Sequence, residues 1–158
     1  MKIISTNEID QDRVTDFFKE HWGSTMMVIS SGVFQCDQLE GYGAARDDGA
    51  IIGLVTYSID KDSCEIISLD SVIENHGIGT QLVLKVEQTA KEQGCHKMKL
   101  ITTNDNIHAL GFYQKRGYRI VDIYSDAVEK ARKLKPEIPP IADNGIPICD
   151  ELLLEKSL

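Results

Sequence analysis

Several common signatures are missing from this 158-residue sequence, and each absence excludes a class of protein. No run of 18 apolar residues occurs, which excludes a membrane-spanning helix, and the opening MKIISTNEID lacks the apolar stretch of a signal peptide. The four cysteines form no CxxC pair, so neither a zinc ribbon nor a thioredoxin-like redox site is predicted. We therefore expect a cytoplasmic protein with reduced thiols and no metal site.

Basic residues are scarce in the first half of the chain. Residues 1–79 carry 5 basic and 14 acidic side chains, whereas residues 80–158 carry 12 and 11, and the whole chain has a net charge of −8. Such a balance argues against general binding of nucleic acid or of an anionic membrane surface. Residues 80–135 hold 11 basic and 6 acidic side chains, so this part could meet an anion, unless the asymmetry only reflects solvated faces.

Glycine and proline together supply only 16 residues, while 42% of the chain is apolar, which is the composition of a globular protein. A chain of this length predicts one domain over residues 1–158. It can bury roughly two-thirds of its unfolded surface, so no disulfide or metal is needed to stabilise it.

The spacing of apolar and turn residues predicts a mixture of strands and helices. Residues 22–48 read as partly extended with glycine turns. The other predicted elements are strands near 1–5, 50–58, 64–69, 97–102, 118–124 and 152–155, helices near 10–21, 77–93, 107–115 and 125–134, and a proline-containing loop over 135–147. Hairpins pair strands antiparallel and strand–helix–strand units pair them parallel, so an α/β fold with a mixed sheet and helices on both faces is expected.

The most informative segment joins a predicted strand to a predicted helix and reads LDSVIENHGIGT, from Leu69 to Thr80. Gly77 and Gly79 allow close approach of the backbone, and the first turn of a helix offers unpaired N–H groups to a phosphate. Two glycines at a helix start are also a packing device. The segment is neither a Walker loop nor a Rossmann fingerprint, because no Gly-Lys-Ser/Thr follows and Leu82 replaces the third glycine.

A second segment, NIHALGFYQKRGY, runs from Asn106 to Tyr118. Together the two segments resemble the GNAT family of acyl-CoA-dependent N-acetyltransferases, including bacterial members that act on small molecules. The family's Gln/Arg-x-x-Gly-x-Gly/Ala signature falls on Glu74, Gly77 and Gly79. Its later motif falls on Asn106, Ala109, Phe112, Tyr113, Lys115, Gly117 and Tyr118. The resemblance covers about residues 50–124 and implies a mostly antiparallel sheet with a V-shaped splay between two parallel strands.

The resemblance implies acetyl-CoA as co-substrate. Backbone N–H groups would hold its pyrophosphate, so Glu74, in the usual place of Gln or Arg, need not abolish binding. The Leu69 N–H would polarise the thioester, and Ser71 would contact the cofactor arm. The cofactor-binding residues implied are Leu69, Ser71, Glu74, Asn75, His76, Gly77, Ile78, Gly79, Thr80, Asn106, Ala109, Phe112, Tyr113 and Lys115.

Two residues match the family's catalytic groups. Tyr113 corresponds to the phenol that protonates the leaving thiolate, although its spacing alone also fits a tyrosine packed on a helix. Glu65 lies on the strand where some members carry a base for the amine, although a solvated glutamate is the commoner situation. By alternation along the strand, Asp70 faces away from Glu65 unless a bulge turns it. His21 and His108 are the alternative bases.

The acceptor is expected to be the amine of a small molecule, and the acidic first half favours a cationic one. His21 and Trp22 are the candidate substrate residues; Trp22 could meet an amine through a cation–π contact or simply pack in the core. The 126–150 segment could roof the pocket. The predicted function is acetyl-CoA-dependent N-acetyltransfer, with a non-catalytic acyl-CoA-binding regulatory module as the alternative, and family members are often homodimers.

Overall fold

A computed structural model describes residues 1–73 and 76–158. This part of the chain contains nine strands, four α-helices and two 3-10 turns. The strands are β1 (Lys2–Ser5), β2 (Met26–Ile29), β3 (Gly32–Gln35), β4 (Glu40–Ala45), β5 (Ile51–Asp60), β6 (Ser63–Ser71), β7 (Lys97–Thr103), β8 (Arg119–Tyr124) and β9 (Glu151–Ser157). The helices are α1 (Gln11–Trp22), α2 (Ile78–Glu92), α3 (Ile107–Lys115) and α4 (Ala127–Leu134).

Seven of these strands form one sheet in the order β1-β4-β5-β6-β7-β9-β8, which is mostly antiparallel with one parallel pair. β2 and β3 form a separate two-stranded sheet. The predicted fold class, an α/β fold built on a mixed sheet, is confirmed. The chain divides into two compact units, one comprising 1–27, 34–98 and 158 and the other 28–33 and 99–157.

The first unit places one helix on each face of its antiparallel strands. α1 packs its buried Val14, Phe17 and Phe18 into a core cluster that includes Leu54 of β5. α2 lies on the opposite face, where a Cβ on Gly53 would meet the Ile78 and Leu82 side chains at 2.7 and 3.1 Å. Because Gly53 and Leu54 are consecutive strand residues, their side-chain directions point to opposite faces of the sheet. The expectation of helices on both faces is confirmed for this unit.

The β5–β6 hairpin contains the irregularity that matters most for the site. Thr56 pairs with Ser68, but the next residue, Tyr57, pairs with Ile66, so Ile67 is an extra residue on β6. This is a β-bulge, which turns the strand and changes the face to which later side chains point. The alternation rule therefore fails from Ile67 onward.

The second unit pairs β8 with β9 antiparallel and carries α3 and α4. The Arg132 side chain binds the proline-containing segment of this unit. It donates to the carbonyl oxygens of Ile138, Pro139 and Ile148 at 2.6 to 3.1 Å. The Asn104 side chain adds three bonds to the same segment, donating to Pro147 O and accepting from the N–H groups of Cys149 and Asp150. The predicted loop is thus an ordered structure.

Candidate active site

The start of α2 has the form that an anion site requires. Gly77 occupies the N-cap position in the left-handed conformation, with φ 72°, and as a glycine it offers no capping side chain. The first turn contains no acidic residue, and Gly77 itself is exposed. Among the described residues, the backbone N–H groups of Ile78 and Gly79 have no hydrogen-bond acceptor, as expected at a helix start. Together with the helix dipole, these groups can hold a phosphate.

The strand end before this helix start is held by local hydrogen bonds. The Ser71 hydroxyl donates to the Ile73 carbonyl at 2.8 Å, and the Val72 N–H donates to the Ile52 carbonyl at 2.8 Å. Leu69 pairs with Val55 across the hairpin. Of the other predicted cofactor residues here, His76 is exposed and Thr80 is half-buried, whereas Glu74 and Asn75 lie outside the described residues.

The second group of predicted cofactor residues lies on α3. Asn106 is the N-cap, with its side-chain oxygen accepting from the Ala109 N–H at 3.2 Å. Lys115, in the last turn, is exposed, and Phe112 is half-buried. The Arg116 guanidinium, which the sequence analysis did not single out, lies 3.7 Å from the centre of the Phe112 ring and also donates to the Phe112 carbonyl. This places a cation on the helix that carries the predicted acid.

Tyr113 is buried between two aromatic rings. It makes edge-to-face contacts with Phe112 and Tyr118, with ring centres 5.1 and 5.5 Å away, and is 6% exposed. Among the described residues its hydroxyl has no hydrogen-bond partner. Burial raises the pKa of Tyr113 well above its ordinary value of 10.0, and the nearby Arg116 opposes this only in part. The phenol therefore keeps its proton at neutral pH and is available as a donor.

The Asp70 side chain points in a direction that regular alternation along the strand does not predict. Asp70 pairs with Leu54, which belongs to the core cluster beneath α1, and the Trp22 indole N–H donates to Asp70 Oδ2 at 3.0 Å. The bulge at Ile67 explains this, because two consecutive residues, Ile67 and Ser68, both turn toward the α1 face. Leu69 turns toward the α2 face. Its partner Val55 pairs in turn with Tyr42, and paired residues share a face. The Tyr42 hydroxyl contacts Thr89 of α2, which identifies that face.

Glu65, the predicted base, lies on β6 before the bulge. It pairs with Ser58 and is 6% exposed, so it is buried rather than solvated. By alternation from Ile67 it faces α1, the same side as Asp70. His108, one of the alternative bases, is exposed on the first turn of α3, and His21 lies at the end of α1 with its ring 4.3 Å from that of Phe17.

The predicted residues thus form two groups, one in each unit. Residues of β6, the following loop and the start of α2 belong to the first unit together with His21 and Trp22, and those of α3 belong to the second. The Trp22–Asp70 pair is what the sequence analysis missed, because the partners are 48 positions apart and no local pattern joins them. Within the described ranges, no group of three or more His, Cys, Asp or Glu side chains could hold a metal ion.

None of the helices in the described part of the chain combines the length and apolar character needed to cross a lipid bilayer. Comparison with known proteins then decides the family. The sequence model described as "Acetyltransferase (GNAT) family" matches residues 7–118. The chain belongs to the GNAT acetyltransferase family. The resemblance seen in the two motifs is therefore confirmed.

Proteins of similar sequence are found in Bacillus subtilis. The chain is 61% identical to "Uncharacterized protein YxbD" of Bacillus subtilis over 158 residues, which is all of this chain and 99% of that protein. It is 33% identical to "Uncharacterized N-acetyltransferase YvbK" of Bacillus subtilis over 92 residues, covering 58% and 56% of the two chains.

A solved GNAT structure supports the same assignment. It is a GNAT family acetyltransferase from Elizabethkingia anophelis with acetyl-CoA bound, with a TM-score of 0.67 and 32% identity over 76% of each chain. This GNAT member and the chain described here therefore share both fold and detectable sequence similarity.

Proposed function

We propose that this protein is an N-acetyltransferase that moves the acetyl group of acetyl-CoA to a primary amine of a small molecule. The observation that carries the proposal is the start of α2, where left-handed Gly77 precedes two backbone N–H groups that have no acceptor among residues 1–73 and 76–158. An anionic ligand fits these groups, and the similar Elizabethkingia protein is described with acetyl-CoA bound.

Binding of the pyrophosphate is assigned to the backbone around Gly77–Thr80, with the loop residues before it. Backbone N–H groups carry partial positive charge that does not depend on side chains. The presence of Glu74 instead of Gln or Arg therefore leaves the main interaction available. Asn106, Ala109, Phe112 and Lys115 on and before α3 are the further proposed cofactor contacts.

The chemistry needs a polarised carbonyl and a proton for the leaving sulfur. The Leu69 N–H is proposed to donate to the thioester oxygen, which stabilises the charge that develops there. Tyr113 is proposed to protonate the thiolate as the C–S bond breaks. Its burial keeps the phenol neutral, which is the form that an acid must have before the reaction.

Replacement of Tyr113 tests the catalytic assignment. We expect Tyr113→Phe to lower kcat by about 100-fold or more while leaving the Kd of acetyl-CoA within about threefold, because only the donated proton is lost. Release of CoA thiol with a panel of primary amines measures turnover, and calorimetry measures the Kd. Tyr124→Phe, which removes a hydroxyl from β8, is the matched control and should leave both values unchanged.

The outcomes separate the proposed enzyme from the alternatives. Unchanged kcat in Tyr113→Phe would refute the acid role. If the wild-type protein binds acetyl-CoA but releases no thiol with any amine, the chain is an acyl-CoA-binding module without this activity. If acetyl-CoA neither binds nor raises the melting temperature, the proposed function is wrong altogether.

A further inference from the structure

The bulge in β6 brings an acidic side chain to the end of α1. If β6 paired regularly with Ile67 in the ladder, Asp70 would lie opposite Gly53 and point to the face covered by α2, whereas the observed register directs it toward Trp22. Bulges near active sites commonly re-aim a side chain in this way. The re-aimed residue is two positions before Val72, where β6 leads into the loop that precedes Gly77.

Both oxygens of the Asp70 carboxylate are held in place. The Trp22 indole N–H donates to Oδ2 at 3.0 Å, and the Ser71 N–H donates to Oδ1 at 3.0 Å. Each carboxylate oxygen can accept a second hydrogen bond, so the oriented group retains acceptor capacity for a ligand. Trp22 is 39% exposed, so part of this side chain is open to solvent.

A carboxylate next to a partly exposed indole is suited to an alkylammonium group. The carboxylate accepts N–H bonds from the cation, and the ring attracts the cation through its quadrupole. Resting on the proposed acetyl transfer, we propose that Asp70 and Trp22 bind the ammonium group of the acceptor and that Asp70 removes its proton.

The groups around Asp70 change the pKa of its carboxyl group in the direction that this role requires. Burial raises its pKa above the ordinary 3.8, and the positive charge of His21, the Ser71 N–H and the Trp22 N–H oppose the rise. Among the described residues, His21 on α1 is the charged group that acts on it, while β5 presents the apolar Leu54. A carboxylate with a raised pKa is a stronger base than a solvated one.

The reaction balances with two protons leaving the ammonium nitrogen. One proton passes to the Asp70 carboxylate, which gives a neutral amine whose lone pair forms the new C–N bond. As the C–S bond breaks, Tyr113 protonates the thiolate, and the second nitrogen proton restores the phenol. Asp70 then releases its proton to water, so the products are the acetamide, CoA thiol and one proton.

The first experiment needs no knowledge of the acceptor. Trp22 is the only tryptophan in the chain, so its fluorescence reports on Asp70 directly. In the wild type we expect emission to change with pH at a midpoint above 3.8, and Asp70→Asn should abolish the change. His21→Gln should move the midpoint upward, since it removes a positive charge that lowers the Asp70 pKa.

Amine binding is measured with the same signal. n-Butylamine, ethanolamine and 1,4-diaminobutane, titrated at constant ionic strength near neutral pH, should change Trp22 emission saturably in the wild type. The change should be lost in Asp70→Asn, and n-butanol should have no effect. An absent response to all three amines, or an equal response in Asp70→Asn, would overturn the proposed ammonium site.

Kinetic measurements show whether Asp70 or Glu65 acts as the base. With an aliphatic amine that the wild type accepts, Asp70→Asn should lower kcat/KM by about 100-fold near neutral pH. The deficit should shrink as pH rises toward the amine's own pKa, because solvent then supplies the neutral amine. Glu65→Gln tests the base predicted from the sequence and should lose less of kcat/KM than Asp70→Asn. Asp60→Asn, at the far end of the hairpin, is the control and should stay within about threefold of wild type.

The controls distinguish failure of this inference from failure of the proposed function. Acetyl-CoA affinity and the circular dichroism spectrum should be the same in Asp70→Asn and wild type. If the wild type turns over but Asp70→Asn is equally active, or if Glu65→Gln carries the loss instead, Asp70 is not the base and acetyl transfer still stands. If the wild type neither binds acetyl-CoA nor acetylates any amine, the proposed function itself fails.

Discussion

At the scale of single residues, Asn106 has a structural role that can be separated from its proposed contact with the cofactor. Its side-chain oxygen caps α3 through the Ala109 N–H, and its amide nitrogen donates to the Thr102 hydroxyl at 3.3 Å. Aspartate can reproduce the cap but brings a negative charge. The two roles therefore respond differently to substitution.

We expect Asn106→Ala to lower the free energy of unfolding by about 1 kcal/mol, because the helix loses its cap. Asn106→Asp should stay within about 0.5 kcal/mol of wild type, since it keeps the cap, yet bind acetyl-CoA more weakly through repulsion of the phosphates. Urea denaturation and calorimetry measure the two effects. Equal acetyl-CoA affinity in Asn106→Asp and wild type would argue against a cofactor contact at this position.

The roles of single residues could be predicted from the sequence where the residues that indicate them are close together in the chain. The cap at Asn106 and the glycine at the start of α2 stand next to the helices that they begin, so the spacing of a few residues predicts them. Alternation along an unbroken strand puts Asp70 on the wrong face, and the exception that the sequence analysis left open applies, because the extra Ile67 forms a bulge. Its partner Trp22 could not be found from spacing, since the two meet only after the sheet has formed.

At the scale of elements, the position of α2 depends on how closely it approaches β5. The apolar residues Ile78, Leu82, Val86 and Ala90, predicted as one helix face, are all buried. A Cβ at Gly53 would come within 2.7 Å of Ile78 and 3.1 Å of Leu82. The glycine thus sets the distance between this strand and the first turns of the helix.

Gly53→Ala should therefore lower the free energy of unfolding by about 1–3 kcal/mol through overpacking and weaken acetyl-CoA binding, because Ile78 is the first residue of α2. Gly111→Ala is the matched control. Gly111 lies inside α3 with open space around its Cβ position, so alanine there should stabilise by about 0.5–1 kcal/mol. Denaturation curves for both variants measure the contrast; a stable Gly53→Ala with normal affinity would show that α2 can shift freely.

Element prediction was accurate for β1 and α1 and from β5 onward, and weak between α1 and β5. Long apolar runs and clear stops defined β5, α2 and α3 within one to three residues of the structure. β4 was missed because Gly41 and Gly43 interrupt its apolar pattern, although Gly43 lies where a Cβ would meet the Ile9 side chain at 2.7 Å. The β2–β3 hairpin was read only as partly extended, since its two strands have four residues each.

At the scale of the whole molecule, buried acidic groups determine how stability depends on pH. Burial raises the pKa of the Cys64 thiol from 9.0 to about 12, and the pKa of Tyr57 is raised mainly for the same reason. Above pH 9 the unfolded chain loses the thiol proton while the folded chain keeps it. Ionisation then favours the unfolded state, so the stabilisation is full below pH 9 and is lost as pH rises toward 12.

We expect the free energy of unfolding to fall between pH 9 and 12, and to fall less steeply in Cys64→Ala, which has no thiol to ionise. Urea denaturation at several pH values in this window measures both slopes. The alanine variant will be less stable at pH 7 because it loses buried volume, so the comparison concerns the slope. Identical slopes would show that Cys64 ionises as easily in the folded protein as in the unfolded chain.

The uneven distribution of charge along the chain fits the two binding roles proposed for this protein, for an ammonium group and for an anionic cofactor. The acidic first half contains Asp70 and the rest of the proposed ammonium site, while residues 80–135, with their excess of basic side chains, contain α3 and most of α2. The net charge of the whole chain alone predicted neither of these binding roles. It argues against general nucleic-acid binding, whereas local backbone geometry supports binding of an anionic cofactor within an acidic protein.

The bulge at Ile67 also means that the direction of Asp70 is set by the pairing register of the hairpin. Ile66 pairs with Tyr57 and Ser68 pairs with Thr56, so Ile67 is the residue left out of the ladder. Deleting Ile67 would close the ladder into a regular one and leave Asp70 opposite Leu54. Loss of the bulge with every residue kept would instead shift the later residues by one position and exchange their faces. A slip in register, without any change of sequence, would then be enough to turn the acidic group away from the indole and Leu69 toward it.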